Sequence, residues 1–301
     1  MRVGQSSPLM PSRIVIIFNP AAGARRRSKL HAALDLLRGI GLRLEVVETR
    51  QRGDAARLAR DAASGGGTVV AAGGDGTIAE VASGIVGSDA ALGVLPLGTA
   101  NVFALELGIP LSAENAAIVL AMGRTVPFRP GRSLGSGPAE QIFVQMLGAG
   151  LDAAVVHALP PLLKRALGKG AYALQTVREI VRHDAALLRV VADGQEFHAH
   201  SVVVTKGRLY AGRFIIAPNA NARGDDFYVV ALPQPRRSDA IRHAAALPLG
   251  LLPRLPEARI FRASAISIEG AAGPIQADGD AAGVLPARIA PASEVIRIVV
   301  P

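Results

Sequence analysis

Cysteine and tryptophan are absent from the chain, aromatics make up only 4% of it, and the only lysines are Lys29, Lys164, Lys169 and Lys206. Without cysteine there is neither a disulfide scaffold nor a thiolate metal site, which fits a reducing compartment. Scarce aromatics favour tight strand–helix packing over aromatic platforms. Basic residues are also not interleaved with aromatics as they are in nucleic-acid modules. Long apolar runs are missing too. No stretch approaches the roughly 20 apolar residues that span a bilayer. The longest candidate, Ala244 to Leu252, is interrupted by Pro248 and Gly250 and closed by Pro253. Met1 to Ser12 is polar, contains proline and lacks the apolar core of a signal peptide, so residues 1–12 read as a flexible tail.

What is present is a chain of 301 residues, half of them apolar and rich in glycine and alanine. The length favours two domains, and the composition excludes wholesale disorder. The formal net charge is +9, carried almost entirely by arginine. Nucleic acid, an anionic membrane or a phosphorylated small molecule could each answer it. Beyond Arg25-Arg26-Arg27 there is no basic run. The expected partners are therefore an anionic bilayer surface and a phosphate ligand, with no nucleic acid. An arginine preference on a solvated surface explains the same charge.

The chain is organised around Gly73-Gly74-Asp75-Gly76-Thr77. The pentapeptide lies between a strand-like run, Thr68 to Ala72, and a helix-like run in which Ile78, Val81, Ala82 and Ile85 share a face. Strand, glycine turn and helix N-terminus is where an open α/β sheet binds an anion, because unpaired N–H groups and the helix dipole point outward there. Glycines let a phosphate approach the backbone, and Asp75 would face a Mg²⁺ ion, one of its waters or a reacting hydroxyl. A plain turn with Asp75 as N-cap fits the same five residues.

From Arg13 to Val126 strands and helices alternate, with strands at Ile14–Phe18, Leu42–Val47, Thr68–Ala72 and Leu92–Leu95. A helix with Leu30, Ala33, Leu34 and Leu37 on one face follows the first, and Asp54 could cap another. This order predicts an α/β domain over 13–126, a mostly parallel sheet with helices on both faces. Asn19, Thr49, Gly73 and Gly98 would then stand at the carboxyl edge, where such folds bind ligands. After Pro127 short alternating runs dominate, among them Gln141–Leu147, His198–Thr205, Phe227–Leu232 and Ala258–Ile268, broken by one helical stretch from Ala153 to about Arg182. They predict a β-rich, sandwich-like domain over 127–301, its last strand available to pack back on the first domain.

Asn19-Pro20-x-x-Gly23, Thr49, Gly73–Thr77 and Gly98-Thr99-x-Asn101 offer small residues, hydroxyls and amides at four strand ends, which suits a nucleotide triphosphate. There is no Walker A sequence, no H-E-x-x-H and no Gly-x-Ser-x-Gly. Gly148-Ala149-Gly150-Leu151-Asp152-Ala153 fits a dinucleotide fingerprint, but its surroundings do not continue as βαβ. Asp278-Gly279-Asp280 places two acids around a glycine, as proton acceptor and metal ligand or simply as a hairpin turn. Asp225-Asp226 and Asp152 are the remaining acidic candidates.

Taken in order, these motifs resemble the diacylglycerol kinase catalytic family, with its bacterial lipid kinases and its sphingosine and ceramide kinase relatives. The likeness continues through Gly148-x-Gly150-x-Asp152, Lys164, Gly168-Lys169-Gly170-x-Tyr172, Tyr210-Ala211-Gly212 and Ala217-Pro218 to Asp278-Gly279-Asp280. The resemblance implies a cytoplasmic lipid kinase peripheral to the inner membrane face, using ATP and Mg²⁺ in a cleft between two domains. Its acceptor would be a lipid hydroxyl, of diacylglycerol first and of ceramide or a sphingoid base second. It assigns ATP to Asn19, Pro20, Ala21, Ala22, Gly23, Thr49, Gly73, Gly74, Asp75, Gly76, Thr77, Ile78, Ala79, Gly98, Thr99 and Asn101. Asp152 would lie near the lipid head group and Asp225 in a structural Mg²⁺ site. Among the catalytic acids, Asp278 would take the proton, Asp280 would orient it or reach the metal, and Asp75 would face Mg²⁺.

The chain departs from the family pattern at Ala79, Val102 and Asp226, where Asn, Asp and Gly are usual. It departs again at Asp280, where Glu is usual and the carboxylate is pulled back by about 1.5 Å. An NAD kinase-like small-molecule kinase and a nucleotide- or lipid-binding sensor are the competing readings, and a homodimer is left open.

Overall fold

Every side chain of Ile14–Phe18 (β1), Thr68–Gly73 (β3) and Ala91–Pro96 (β4) is buried. Successive strand residues point to opposite faces, so a strand without an exposed residue must be covered on both. In a computed structural model, which describes residues 13–20, 24–135, 140–158, 169–182 and 186–301, helices supply that cover. The described residues fall into two units, one running to Phe128 and resuming at Glu294–Pro301, the other Arg129–Ser293.

In the first unit the helices are Ala24–Gly39 (α1), Asp54–Ala63 (α2), Asp75–Ile85 (α3), Val102–Glu106 (α4) and Ala113–Met122 (α5). α1 turns Leu30, Ala33, Leu34 and Leu37 inward. α5 is bounded by its own chemistry: Ser112 accepts from the Asn115 N–H at its start, and Gly123 takes φ +65° at its end. With Leu44–Glu48 (β2), Thr125–Phe128 (β5) and Ile296–Val299 (β20), the strands form one sheet in the order β2-β1-β3-β4-β20-β5. All neighbours are parallel except β20 and β5. Thus β5 belongs to this sheet although it follows Val126 only in part, and the chain leaves the unit after Phe128 to return as β20.

The carboxylate of Asp54 does not cap α2, whose N-cap is Gly53 in the left-handed region. Asp54 instead accepts from the Arg50 and Gln51 N–H groups behind it, and those bonds lower its pKa. The N–H groups of Gly53 and Ala55 go to Glu80 of α3. One helix therefore caps another, a contact across sequence that spacing rules do not anticipate.

The second unit is a sandwich of two antiparallel sheets. One holds Gly131–Leu134 (β6), Gln141–Phe143 (β7), Leu188–Ala192 (β9), Gln195–Ala199 (β10), Ile266–Glu269 (β16) and Ala287–Pro291 (β19), in the order β10-β9-β16-β19-β6-β7. The other holds Met146–Gly150 (β8), Ser201–Thr205 (β11), Phe227–Leu232 (β14), Arg259–Ala263 (β15), Pro274–Ala277 (β17) and Asp280–Val284 (β18), in the order β15-β14-β11-β8-β17-β18. Leu188, Val190, Ile268 and Ile289 of the first meet Leu147, Val202, Val229 and Ile275 of the second. The second sheet has a further apolar cluster, with Val203, Val230, Ala246 and Leu252, so β11 is buried throughout. A two-stranded ribbon, Leu209–Tyr210 (β12) and Phe214–Ile215 (β13), stands apart. The α-helices among its described residues are Leu151–Ala158 (α6), Lys169–Arg182 (α7) and Arg237–Ala246 (α8). The runs read from sequence as Gln141–Leu147, His198–Thr205 and Ala258–Ile268 each break into two strands, because hydrophobic alternation does not register a corner where the chain changes sheet.

Gly84 tests the helix layer. A Cβ there would lie 2.7 Å from the Ala59 Cβ and closer still to the Ala56 carbonyl oxygen. Alanine in a helix interior gains about 1 kcal/mol over glycine, but the α2 backbone cannot yield easily. Gly84→Ala is expected to lose about 1–3 kcal/mol of stability in denaturant unfolding, opposite in sign to the propensity.

Candidate functional site

In the first unit the sheet order sets Asn19, Thr49, Gly73 and Gly98 after the carboxyl ends of β1, β2, β3 and β4, four adjacent parallel strands. Backbone bonds fasten these ends: Thr49 N–H to Phe18 at 2.9 Å, Asn19 N–H to Ala72 at 3.1 Å and Leu97 N–H to Gly73 at 2.9 Å. The Asn19 amide donates to Thr77 Oγ1 at 3.2 Å, so the first loop is tied to the first turn of α3. Thr49 and Thr77 are buried, Thr99 is exposed, and Ile78 points wholly into the core, leaving only its backbone for a ligand. Ala79 is half-buried, as are Asn19, Pro20, Gly74, Asp75 and Gly76. Ala21, Ala22 and Gly23 lie outside the described residues.

Gly73 and Gly98 are required by space. Gly74 is extended (φ −95°, ψ −174°), a conformation open to any residue. A Cβ on Gly98, however, would stand 2.5 Å from both the Gly74 Cα and Asn101 Oδ1, and one on Gly73 would strike the Thr77 side chain at 2.5 Å. The β3 and β4 loops therefore touch backbone to backbone. Gly74 gives α3 no side-chain cap, so the first N–H groups of that helix suit an anion. Asp75, the first helical residue, turns sideways and accepts from the Phe103 N–H at 3.0 Å, fixing α4 behind the loops. Phe103 in turn meets Phe128 edge to face at 5.4 Å.

Asn101 holds a left-handed backbone (φ +49°) and donates to the Pro96 and Gly98 carbonyls. Its Oδ1 is buried without a partner among the described residues. An orphaned acceptor asks for an O–H or N–H donor, so it fits a ligand hydroxyl or amino group rather than a phosphate oxygen. Sequence reading passed over Arg26, near the start of α1. It is half-buried, and burial alone lowers its pKa. The signal was its place in the triplet after the first loop. Its neighbour Arg27 is instead paired with Glu48 at 2.6 Å.

In the second unit Asp278 and Gly279 form the two-residue turn between β17 and β18, with φ +50° and +82°. The Asp278 carboxylate accepts from the N–H groups of Val144, Gln145 and Met146 at 2.7–2.9 Å. Asp193-Gly194, the turn between β9 and β10, behaves in the same way, its carboxylate accepting from Ser264 and Ala265. Asp278 is thus placed as a backbone anchor at the β7–β8 corner. Asp280, first in β18, is half-buried.

Gln276, also passed over by sequence reading, joins the hairpin to Asp152. Its Nε2 donates to Asp152 Oδ2 at 2.7 Å, and its Oε1 accepts from the Gly279 N–H at 2.8 Å. Tyr210 donates to the other Asp152 oxygen. Only glycine fits at 148, because a Cβ would occupy the place of Asp152 Oδ2. Burial raises the Asp152 pKa, and the bonds from Tyr210 and Gln276 offset this only in part.

Asp225 is not brought into this group. It is exposed and paired with Arg129 at 3.1 Å, while Asp226 is held by Arg262 and Ser264. The Lys206 ammonium, fully buried, donates to the Gly224 carbonyl at 2.8 Å, and burial lowers its pKa to about 8. Fixed cations already balance these acids, so the residues around Asp225 do not fit a structural Mg²⁺. Among the described residues no group of three His, Asp or Glu could hold a metal.

Two family models match the chain: the diacylglycerol kinase catalytic domain over residues 13–133, and the YegS C-terminal NAD kinase beta sandwich-like domain over residues 145–300. The chain belongs to the diacylglycerol kinase family. Among its relatives, "Probable lipid kinase YegS" of Escherichia fergusonii is 32% identical over 222 residues, 70% of this chain and 71% of that one. "Probable lipid kinase YegS-like" of Klebsiella pneumoniae is 33% identical over 219 residues, 70% of each. A solved structure from Bacillus anthracis str. Sterne superposes with a TM-score of 0.80 at 21% identity, covering 100% of this chain and 99% of that one. A second, described as a diacylglycerol kinase from the same organism, gives 0.71 at 18%, covering 97% of both. As a member of that family the chain is a kinase, and its two units carry the α/β and sandwich folds read from sequence. No helix among the described residues is long and apolar enough to cross a membrane.

Two tests follow from this geometry. Gly98→Ala should lose about 1–3 kcal/mol and phosphotransfer together, since the loops must part. Gly74→Ala meets only the Gly98 Cα at 3.4 Å and should fold as wild type, so thermal melts of the two variants will differ. Asp152, its pKa raised, ionises in the unfolded chain first, and stability falls as pH rises above the unfolded value of about 4. Asp152→Asn should therefore melt above wild type at pH 7, with the difference closing as pH falls towards about 4.

Proposed function

We propose that this kinase moves the γ-phosphoryl group of ATP, as its Mg²⁺ complex, to a lipid hydroxyl, with diacylglycerol as the first acceptor to test. The observation that carries the nucleotide is the backbone contact of Gly74 with Gly98 beside the uncapped start of α3. There two loops pack without side chains, and the first N–H groups of α3, left without a side-chain cap, suit a phosphate. The lipid rests on the names borne by relatives at 32–33% identity.

Bound Mg²⁺–ATP would supply the transferable group with much of its charge neutralised. The chain's own groups do the rest. The N–H groups at Gly74–Thr77 hold phosphate oxygens, and Arg26, half-buried, adds a cation. Asn101 Oδ1 accepts from a hydroxyl or amino group of the nucleotide. Asp75 keeps α4 in place, so removing its carboxylate disturbs loop and helix together. On the acceptor side Asp152 and Tyr210 meet the polar end of the lipid.

The proton of the acceptor hydroxyl goes to Asp280. Asp278 was the first expectation for this role, but its oxygens serve three backbone N–H groups, and a carboxylate so bound is a poor base. Asp278 holds the hairpin whose second strand begins at Asp280.

Labelled ATP offered with diacylglycerol, monoacylglycerol, ceramide, sphingosine and NAD⁺ tests both parts. Transfer to a lipid is expected; transfer to NAD⁺ alone would favour the small-molecule reading. Asp280→Asn should lower turnover by about two to four decades with the melting temperature kept. Asp278→Asn should lower both. The roles are exchanged if Asp278→Asn alone loses turnover while melting as wild type.

A further inference from the structure

Leu249 is 70% exposed, the highest value for a large apolar side chain among the described residues. The segment that carries it is firmly seated. α8 buries Ala240, His243 and Ala246, and Leu252 returns to the same apolar cluster. Between these anchors the chain turns through Pro248-Leu249-Gly250-Leu251, with Gly250 at φ +68°. Leu249 and Leu251 thus face solvent because the residues on either side are held. On α8 the outward face runs through Arg237, Ile241 and Ala245, with Ile241 56% exposed. α7, which packs against α8, carries exposed Val177 and Val181.

The charge here is mainly basic. From Arg236 to Glu257 there are four arginines, Arg236, Arg237, Arg242 and Arg254, against Asp239 and Glu257. The Asp239 carboxylate turns back to the Arg236 backbone N–H. Arg242 is paired with Glu257 at 2.6 Å, and Arg237 and Arg254 are exposed.

We propose that Ile241, Leu249 and Leu251, flanked by Arg237 and Arg254, form the face by which the protein docks reversibly on an anionic bilayer. A lone exposed leucine needs no explanation, but several large exposed apolar groups on one segment that also carries exposed arginines have the make-up of an interfacial element. The leucines enter the acyl boundary while the guanidinium groups stay with anionic head groups. A lipid acceptor, as proposed above, gives such a face its use, although docking can be read without it.

The test is flotation of the full chain with vesicles of phosphatidylglycerol and phosphatidylcholine, against phosphatidylcholine alone. Wild type should bind the anionic vesicles, and less so as salt rises. Leu249→Glu with Leu251→Glu, and separately Arg237→Glu with Arg254→Glu, should each weaken binding about tenfold or more, with melting temperatures unchanged. Phosphorylation of vesicle-borne lipid should fall in step, while that of detergent-dispersed lipid stays at the wild-type rate. Undiminished binding by the variants overturns the proposal. So does salt-independent binding to neutral vesicles, or a lipid-free dimer that the leucine substitutions dissolve. Anionic binding through these residues in a chain that phosphorylates no lipid would uphold the docking face and refute the acceptor.

Discussion

The ligand edge of the first unit depends on two glycine backbones meeting without side chains. Gly74 follows β3 and Gly98 follows β4, and a single Cβ on the second would drive them apart. Because β3 and β4 are paired along their length, the loops cannot separate without unpairing the strands beneath. The contact closes the floor under α3, brings Asn101 against Gly98, and lets Asp75 reach the N–H of Phe103. A crowded backbone is thereby turned into a fixed array of N–H groups, and preorganisation of that kind is what phosphoryl transfer asks of a protein.

Carboxylates elsewhere serve the backbone as much as any ligand. Asp54 and Glu80 order the start of α2, Asp75 the start of α4, Asp193 the turn at Ser264, and Asp278 the corner at Val144. Each bonds N–H groups that loop geometry leaves unpaired, which is cheaper for the fold than burying those donors alone. An acid beside a functional loop is therefore ambiguous in sequence: the same Asp-Gly pair that presents Asp278 also presents Asp193, far from any motif.

Much of the architecture was legible because its causes are local. Short continuous apolar runs mark β1, β3 and β14, a 3.6-residue period marks the inward face of α1, and glycine-rich loops mark strand ends. What escaped was fixed by distant partners. The three corners that split runs such as His198–Thr205 follow from which sheet each half joins. Gln276 has no motif, and its role is plain only when Asp152 and Gly279 lie on either side of it. Arg26 was hidden inside a basic triplet whose third member is neutralised by Glu48. For Asp225 the family pattern pointed to a metal, while Arg129 and Lys206, remote in sequence, already balance its charge.

The position of β20 bears on how the chain is made. It lies between β4 and β5, yet residues 129–293 are synthesised before it. At about 5–20 residues per second, on the order of ten to thirty seconds separate β5 from its partner. During that interval the side of β4 away from β3 has no strand beside it, and β5, which pairs with β20 in the sheet, waits for its partner. An emerging ribosomal product must keep that edge from neighbouring chains. The sandwich, whose strands all emerge before β20, has its full set of strands before the parallel sheet does. The first unit is thus begun first and completed last.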